Sequence, residues 1–168
     1  MRRVLAGIAA RWRSFVREAD EVRDASIAIA AAIRDRRQPD ARPMSALPKL
    51  VHPVEGRLTG RFGMRDGRLH EGIDLAQAAG TPVRPARAGV VLLASELPGY
   101  GRVVVVDHGG DLATVYAHLD RVDVAAGQAV ADDAVLGTVG TSGRAFGAHL
   151  HFEVRLDGTA VDPMVFLA

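Results

Sequence analysis

The sequence predicts a mainly β domain preceded by one N-terminal α-helix, and three observations carry that prediction. Apolar or small side chains recur with a 3,4 spacing from residue 5 to residue 33, and prolines close that pattern at positions 39 and 43. From Val54 onward the chain turns to short β-branched runs punctuated by glycine. Its 168 residues, 48% hydrophobic and 24% charged, suit one domain with a small appendage and exclude disorder throughout.

The helical seam runs through Leu5, Ile8, Trp12, Phe15, Ala19, Val22, Ser26, Ile29 and Ile33, with Arg, Asp and Glu on the other faces. It predicts an amphipathic helix over residues 1–37, either docked on its own domain or a coiled-coil remnant. A Pro-containing linker is expected over 38–53 and the β domain over 54–168. Val4 to Ala10 is too short before Arg11 and Arg13 for a clear signal peptide. The apolar run Ala25 to Ile33 falls far below the ~20 residues that span a bilayer, so no transmembrane segment is expected.

The expected strands are Thr81–Pro85, Gly89–Ala94, Val103–Asp107, Ala113–Ala117, Val135–Val139 and Leu150–Leu156, with no helix of length after residue 53. Two segments resemble each other, Ala78 to Val91 and Val124 to Val139, each placing a hairpin before a second β run in the manner of a lipoyl or biotinyl carrier. A carrier needs a lysine at the hairpin tip. Here the tip is Asp132-Asp133 and no lysine follows Lys49, so the shared hairpin is architecture.

A formal charge of +1 provides no broad field for nucleic acid or an anionic membrane. Residues 1–42 carry ten arginines against six acidic residues, so the positive excess lies in the tail. The absence of cysteine excludes disulfides, thiolate zinc sites and a Cys nucleophile, and leaves the compartment open. A metal would have to be held by His and carboxylate.

Four histidines and one aspartate fall at predicted strand ends or adjoining loops: His70, Asp74, His118, His149 and His151. Residues i and i+2 of a strand share a face, so His149 and His151 would present two imidazoles to one groove. Gly72 and Ile73 argue against a helix at 70–74, which separates His70 and Asp74 from the helical zinc-protease pattern. Two His and one Asp would satisfy zinc in a site that keeps a fourth position open to water. His52 and His108 are read as ordinary structural histidines.

The ordered motifs Gly-Arg-Phe-Gly-Met-Arg (60–65), His-Glu-Gly-Ile-Asp (70–74), Gly-Thr-Pro-Val (80–83), Gly-Tyr-Gly (99–101), Tyr-Ala-His-Leu (116–119), Gly-Thr-Ser-Gly (140–143) and His-Leu-His-Phe-Glu-Val (149–154) resemble the lysostaphin and LytM-type zinc endopeptidases over about 54–168. The resemblance implies a compact antiparallel β-sheet or barrel-like domain with lipoyl-like hairpins, a duplicated hybrid motif. It implies Zn2+ as cofactor, His70, Asp74 and His151 as ligands, and His118 and His149 as the catalytic pair. It further implies hydrolysis of peptide stem or cross-bridge amides of bacterial peptidoglycan, in the cell envelope, periplasmic or extracellular. Tyr116, Arg65 and Asp107 lie in matching stretches without an assigned role. Glu71 and Ala145-Phe146 depart from the family's pattern beside the groove, which bears on substrate preference.

The family also contains EnvC-like activators of murein hydrolases that pair a coiled coil with a degenerate domain, so a non-catalytic regulator is the rival expectation. The helix would then serve a protein partner or self-association. A glycan-gripping module fits poorly, because 5% aromatic residues leave few stacking platforms.

Overall fold

A single helix, α1 (Arg2–Asp35), opens the chain in a computed structural model that describes residues 2–35, 48–65 and 67–168. Side chains in 2–16 and at 18 and 19 lie outside the description, as do the Leu5 to Phe15 stretch of the seam and the prolines expected to end the helix. Arg34 stands in the last turn, where a cation meets the negative end of the helix dipole. The described end of the predicted linker is not loose: Leu50 is buried in the main core and pairs with Leu167, and Val51 N–H donates to Ala86 O. Among the described residues no helix is long and apolar enough to cross a membrane.

The strands are β1 (Arg57–Gly60), β2 (Gly63–Arg65), β3 (Arg68–His70), β4 (Ile73–Ala76), β5 (Pro82–Val83), β6 (Gly89–Leu97), β7 (Gly101–Asp107), β8 (Leu112–Val122), β9 (Ala129–Val130), β10 (Gly137–Val139), β11 (His149–Leu156) and β12 (Thr159–Val161). One antiparallel sheet runs β1-β4-β11-β8-β7-β6-β9, with β10 joining β8 to β5 and β12 flanking β11; β2 and β3 form a separate hairpin. The mainly β architecture with one N-terminal helix agrees with the expectation from sequence. The short strands β1 to β4, β9 and β12 were not anticipated, since two to four residues leave no readable period.

The central strands are covered on both faces, which explains their unbroken apolar runs. Val104, Val106, Leu112, Tyr116, Phe152 and Val154 enter the main core. Their neighbours in sequence, Val103, Val105, Ala113, Val115 and Ala117, face the other way and pack against Ala25, Ile29 and Ile33 of α1. The described part of the helical seam is therefore spent on the domain's own sheet. Burial of Ile29 alone contributes roughly 1.5–3 kcal/mol.

The two look-alike segments pair with one another. Val83 lies opposite Gly137, and Val130 lies opposite Gly89. At both glycines a third strand passes close by: a Cβ on Gly89 would sit 2.2 Å from Asp107 O, and one on Gly137 would sit 2.0 Å from Arg121 O. The resemblance is thus a structural duplication that crosses over itself at two glycines. Asp132 and Asp133 lie in the turn that a carrier would use for its lysine.

His108 is a scaffold residue: its Nδ1 donates to Ala88 O, and its Nε2 meets Thr114 Oγ1 at 2.7 Å. Burial lowers its pKa from the ordinary 6.5, only partly opposed by the Ala88 hydrogen bond. The unfolded chain then takes up the proton more readily, so stability is full above about pH 6.5 and falls as pH drops toward the folded-state value. In urea melts between pH 7.5 and 5, His108→Gln should show a shallower acid loss than the parent, by at most about 1.4 kcal/mol per pH unit. The glycine crossover gives a second expectation. Gly137→Ala should lower stability by about 1–3 kcal/mol or more, whereas Gly147→Ala, with open space around it, should stay within about 0.5 kcal/mol in thermal melts.

Candidate metal centre

Five residues from four strands converge where β4, β11 and β8 lie side by side and the β2–β3 hairpin meets them. His70 ends β3, Asp74 lies on β4, His118 on β8, and His149 and His151 on β11. The β4–β11 register sets Asp74 opposite His151. His70 Nε2 lies 3.1 Å from Asp74 Oδ1 and 3.1 Å from His151 Nδ1, and His151 Nδ1 lies 3.0 Å from the same Oδ1. His149 Nε2 stands 3.8 Å from Asp74 Oδ1, and the His118 and His149 ring centres are 4.8 Å apart. All five residues named from sequence therefore meet in one place.

The outer nitrogens of the rings are all engaged. His70 Nδ1 donates to Arg61 O, His118 Nδ1 to Ser142 O and His149 Nδ1 to Gly147 O, each at 2.8 Å. Carbonyl oxygens only accept, so these contacts fix the tautomers and turn the Nε2 lone pairs toward the groove. His151 is reversed: its Nε2 donates to Glu153 Oε1 at 3.0 Å and its Nδ1 faces the cluster. Two imidazole nitrogens and one carboxylate oxygen so converge on one point, where a proton on His151 Nδ1 can bridge to Asp74 in the chain alone and a cation could take its place.

The charge balance agrees with that geometry. Burial alone would raise the pKa of Asp74, but the hydrogen bond from a protonated His151, with His70 beside it, holds it far below the usual carboxylate range. Burial would lower His151, yet the hydrogen bonds to Asp74 and Glu153 raise it to about 9. In the chain alone a proton on His151 answers the surplus negative charge. Burial, reinforced by the nearby His151, lowers His118 to about 4, which keeps its ring neutral at neutral pH.

His118 reaches the groove through an irregularity. In a regular strand it would point with Thr114 and Tyr116 toward the main core. Its φ of +62° and the register shift beside it reverse the alternation, so Ala117 faces the helix side while Leu119 enters the main core. A non-glycine residue held there costs about 1–3 kcal/mol, a strain that tends to accompany function.

Sequence reasoning missed the support behind the cluster. Glu153, fully buried, accepts from His151, from Tyr100 Oη at 2.8 Å and from Arg155 Nε at 2.7 Å. Burial would raise Glu153, but the His151 hydrogen bond and the Arg155 charge pull it down to about 2. Tyr100 keeps its proton because burial and the Glu153 charge push its pKa up. The readable signal was a polar residue at every second position of an apolar strand: His149, His151, Glu153, Arg155. Of the motif residues left without a role, Arg65 Nη2 donates to Asp74 Oδ2 at 3.0 Å. Tyr116 is a core residue bonded to Ala86 N–H and Thr114, away from the groove. Glu71 accepts from Arg155 Nη2 at 3.1 Å.

The groove above the cluster has a volume of about 1010 Å³ and is lined also by Arg65, Leu69 and Phe146 and by Val22, Arg23 and Ile27 of α1. Phe146 is 97% exposed at its rim. His52 lies on the exposed surface, outside this groove.

An antiparallel β domain that holds two imidazoles and a carboxylate in fixed tautomers at the floor of an open groove is built as the metallopeptidases are. The chain belongs to Peptidase family M23, whose sequence profile matches residues 68–163. It is 40% identical over 117 residues to the DD-carboxypeptidase/endopeptidase Mpg of Neisseria meningitidis serogroup B, an alignment covering 66% of this chain and 27% of that protein. The chain thus spans about a quarter of the length of that relative. A zinc containing peptidase from Vibrio cholerae superposes with a TM-score of 0.64 at 32% identity, covering 74% of this chain and 40% of that one. The catalytic domain of lysostaphin from Staphylococcus simulans superposes with a TM-score of 0.57 at 29% identity, covering 66% and 89%.

The buried Glu153–Arg155 pair generates a stability prediction. Glu153→Ala leaves the Arg155 guanidinium buried beside a missing partner, and should lower stability by about 3–5 kcal/mol in denaturant melts of the metal-free chain.

Proposed function

We propose that this chain is a zinc-dependent endopeptidase that hydrolyses a peptide stem or cross-bridge amide of bacterial peptidoglycan. The observation that carries the reading is the convergence of His70 Nε2, His151 Nδ1 and Asp74 Oδ1 to within 3.0–3.1 Å of each other. The donor set fits zinc in type and spacing: bonds of ~2.0–2.1 Å at tetrahedral angles set neighbouring ligand atoms about 3.3 Å apart. Family M23 membership and 36% identity over 117 residues to a protein named peptidoglycan DD-endopeptidase from Vibrio cholerae support the substrate class. That substrate belongs to the cell envelope, so the expected compartment is periplasmic or extracellular.

When bound, zinc supplies a Lewis acid for the scissile carbonyl and lowers the pKa of water at its open position to ~7. The chain supplies the rest. Arg61 O and Glu153 hold the His70 and His151 rings in the tautomers that ligation requires. His118 and His149 stand beside the three ligands with Nε2 free of backbone partners, placed to take a proton and, only once protonated there, to donate to a developing oxyanion. Burial favours the neutral ring of His118, and its Nδ1 bond to Ser142 O leaves the Nε2 lone pair facing the groove. The groove walls orient the peptide, with Phe146 as an exposed apolar contact at the rim.

The test is zinc analysis of the purified chain combined with mass spectrometry of digested sacculi. One zinc per chain and release of muropeptides cut at a stem or bridge amide are expected. His151→Ala should lose tight zinc binding and reduce release by at least ~100-fold, while His118→Ala should keep zinc and lose ~100-fold or more of the activity. A zinc-loaded parent that releases nothing would overturn the hydrolase reading in favour of a non-catalytic regulator. Hydrolysis retained by His151→Ala would overturn the ligand assignment.

A further inference from the structure

Among the described residues the most heavily bonded interior side chain is Arg155, only 1% exposed and two residues beyond Glu153 on the same face of β11. Its Nε donates to Glu153 Oε2, its Nη1 to Ser26 O and Gly158 O at 3.2 Å, and its Nη2 to Ser26 Oγ at 3.0 Å and to Glu71 at 3.1 Å. Ser26 belongs to α1. The helix is thus hydrogen-bonded, through one buried cation, to the carboxylate that holds His151.

The docking of α1 is built around this contact. Val22 lies against Gly99, Ser26 against Arg155, Ala30 against Gly158, and Arg34 Nε donates to Asp157 O at 3.1 Å. These positions recur every four residues and form one ridge of the helix. Where the helix backbone passes Gly158, a Cβ would lie 2.8 Å from Ala30 O. The approach is close enough for the main chain and the hydroxyl of Ser26 to reach the guanidinium together. An alanine at 26 would serve an apolar seam equally well; serine adds an acceptor where the buried cation needs one.

The order of contacts along β11 runs from helix to cluster. Ser26 seats the guanidinium, its Nε donates to Glu153 Oε2, and Glu153 Oε1 accepts the hydrogen bond from His151 Nε2. The far side of the same ring faces His70 and Asp74 at 3.1 and 3.0 Å. We propose that α1 is a working part of the metal centre, with Ser26 and Arg155 as positioning residues that align Glu153 and thereby fix the ring of His151 toward His70 and Asp74. The inference rests on the reading of His151 as a metal ligand and extends it to the helix.

The experiment uses the full chain with Ser26→Ala, Arg155→Lys and, as a control, Ile33→Ala, which loosens the same helix without touching Arg155. Zinc affinity is read by competition with a chromogenic chelator, and the His151 Nε2–H resonance is read by NMR in the metal-free protein. Ser26→Ala should bind zinc about threefold more weakly, and Arg155→Lys about 10–100-fold more weakly, because a lysine keeps the charge but cannot fork to Ser26 and Glu153 at once. Both should shift the His151 resonance. Ile33→Ala should lower Tm at least as much as Ser26→Ala and leave affinity and resonance unchanged.

Unchanged affinity and resonance in Ser26→Ala and Arg155→Lys would overturn the relay, as would an equal loss in Ile33→Ala. Should Arg155→Lys fail to fold, Ser26→Ala decides alone. If no form binds zinc but the resonance still moves in Ser26→Ala, the metal reading fails and the positioning of His151 by the helix stands.

Discussion

The buried Glu153–Arg155 pair is the interaction on which the site's geometry depends. Removing two charges from water costs several kcal/mol each, and a well-packed apolar pair would serve stability as well or better. The chain meets that cost with hydrogen bonds: Glu153 receives three, and Arg155 reaches Ser26, Glu71 and Gly158 besides. Among the described residues no buried side-chain nitrogen or oxygen lacks a partner. Stability alone does not explain such a network. What an apolar pair could not provide is an acceptor for His151 Nε2, and without it that ring has nothing to choose its tautomer.

The period of a β-strand makes this arrangement economical in residues. Alternate positions of β11 point one way, so one strand carries His149 and His151 at the groove, Glu153 behind them, and Arg155 under the helix. The intervening Leu150, Phe152 and Val154 fill the core. A one-residue slip in the β4–β11 register would send all four polar groups into that core and part Asp74 from His151. Core packing therefore locks the register, and the register holds the ligands.

Much of this was legible in the sequence, and the reasons differ by element. The helix could be read because a 3,4 seam survives over 30 residues, and the long strands because β-branched runs are bounded by glycines. His149 and His151 could be placed on one face by period alone. His118 could not: strand alternation from Tyr116 assigns it to the core, and only a positive φ turns it into the groove. The sequence set it at a strand end among the candidate histidines, and the motif resemblance added its catalytic role. Ser26 was read as a small residue of an apolar seam, because a helical pattern reports which face is buried and is silent on what that face meets. Glu153 and Arg155 were signalled only as polar residues on the His149–His151 face of the strand, and what they hold becomes interpretable once their neighbours across the sheet are known.

Arg65 shows how the same constraint acts from the solvent side. Its Nη2 holds Asp74 Oδ2, while Oδ1 of the same carboxylate faces His70 and His151. The two oxygens are thereby given separate tasks, and the carboxylate is pinned at one end as each histidine is pinned at its outer nitrogen. Every side chain of the cluster so carries one contact that faces away from the groove: Arg61 O, Arg65, Gly147 O, Glu153 and Ser142 O. Five groups held from behind converge without having to find each other, which spares the entropy that flexible side chains lose when they are ordered around an ion. The preorganisation comes from elements far apart in the chain, so the β domain must be folded before the donors can meet.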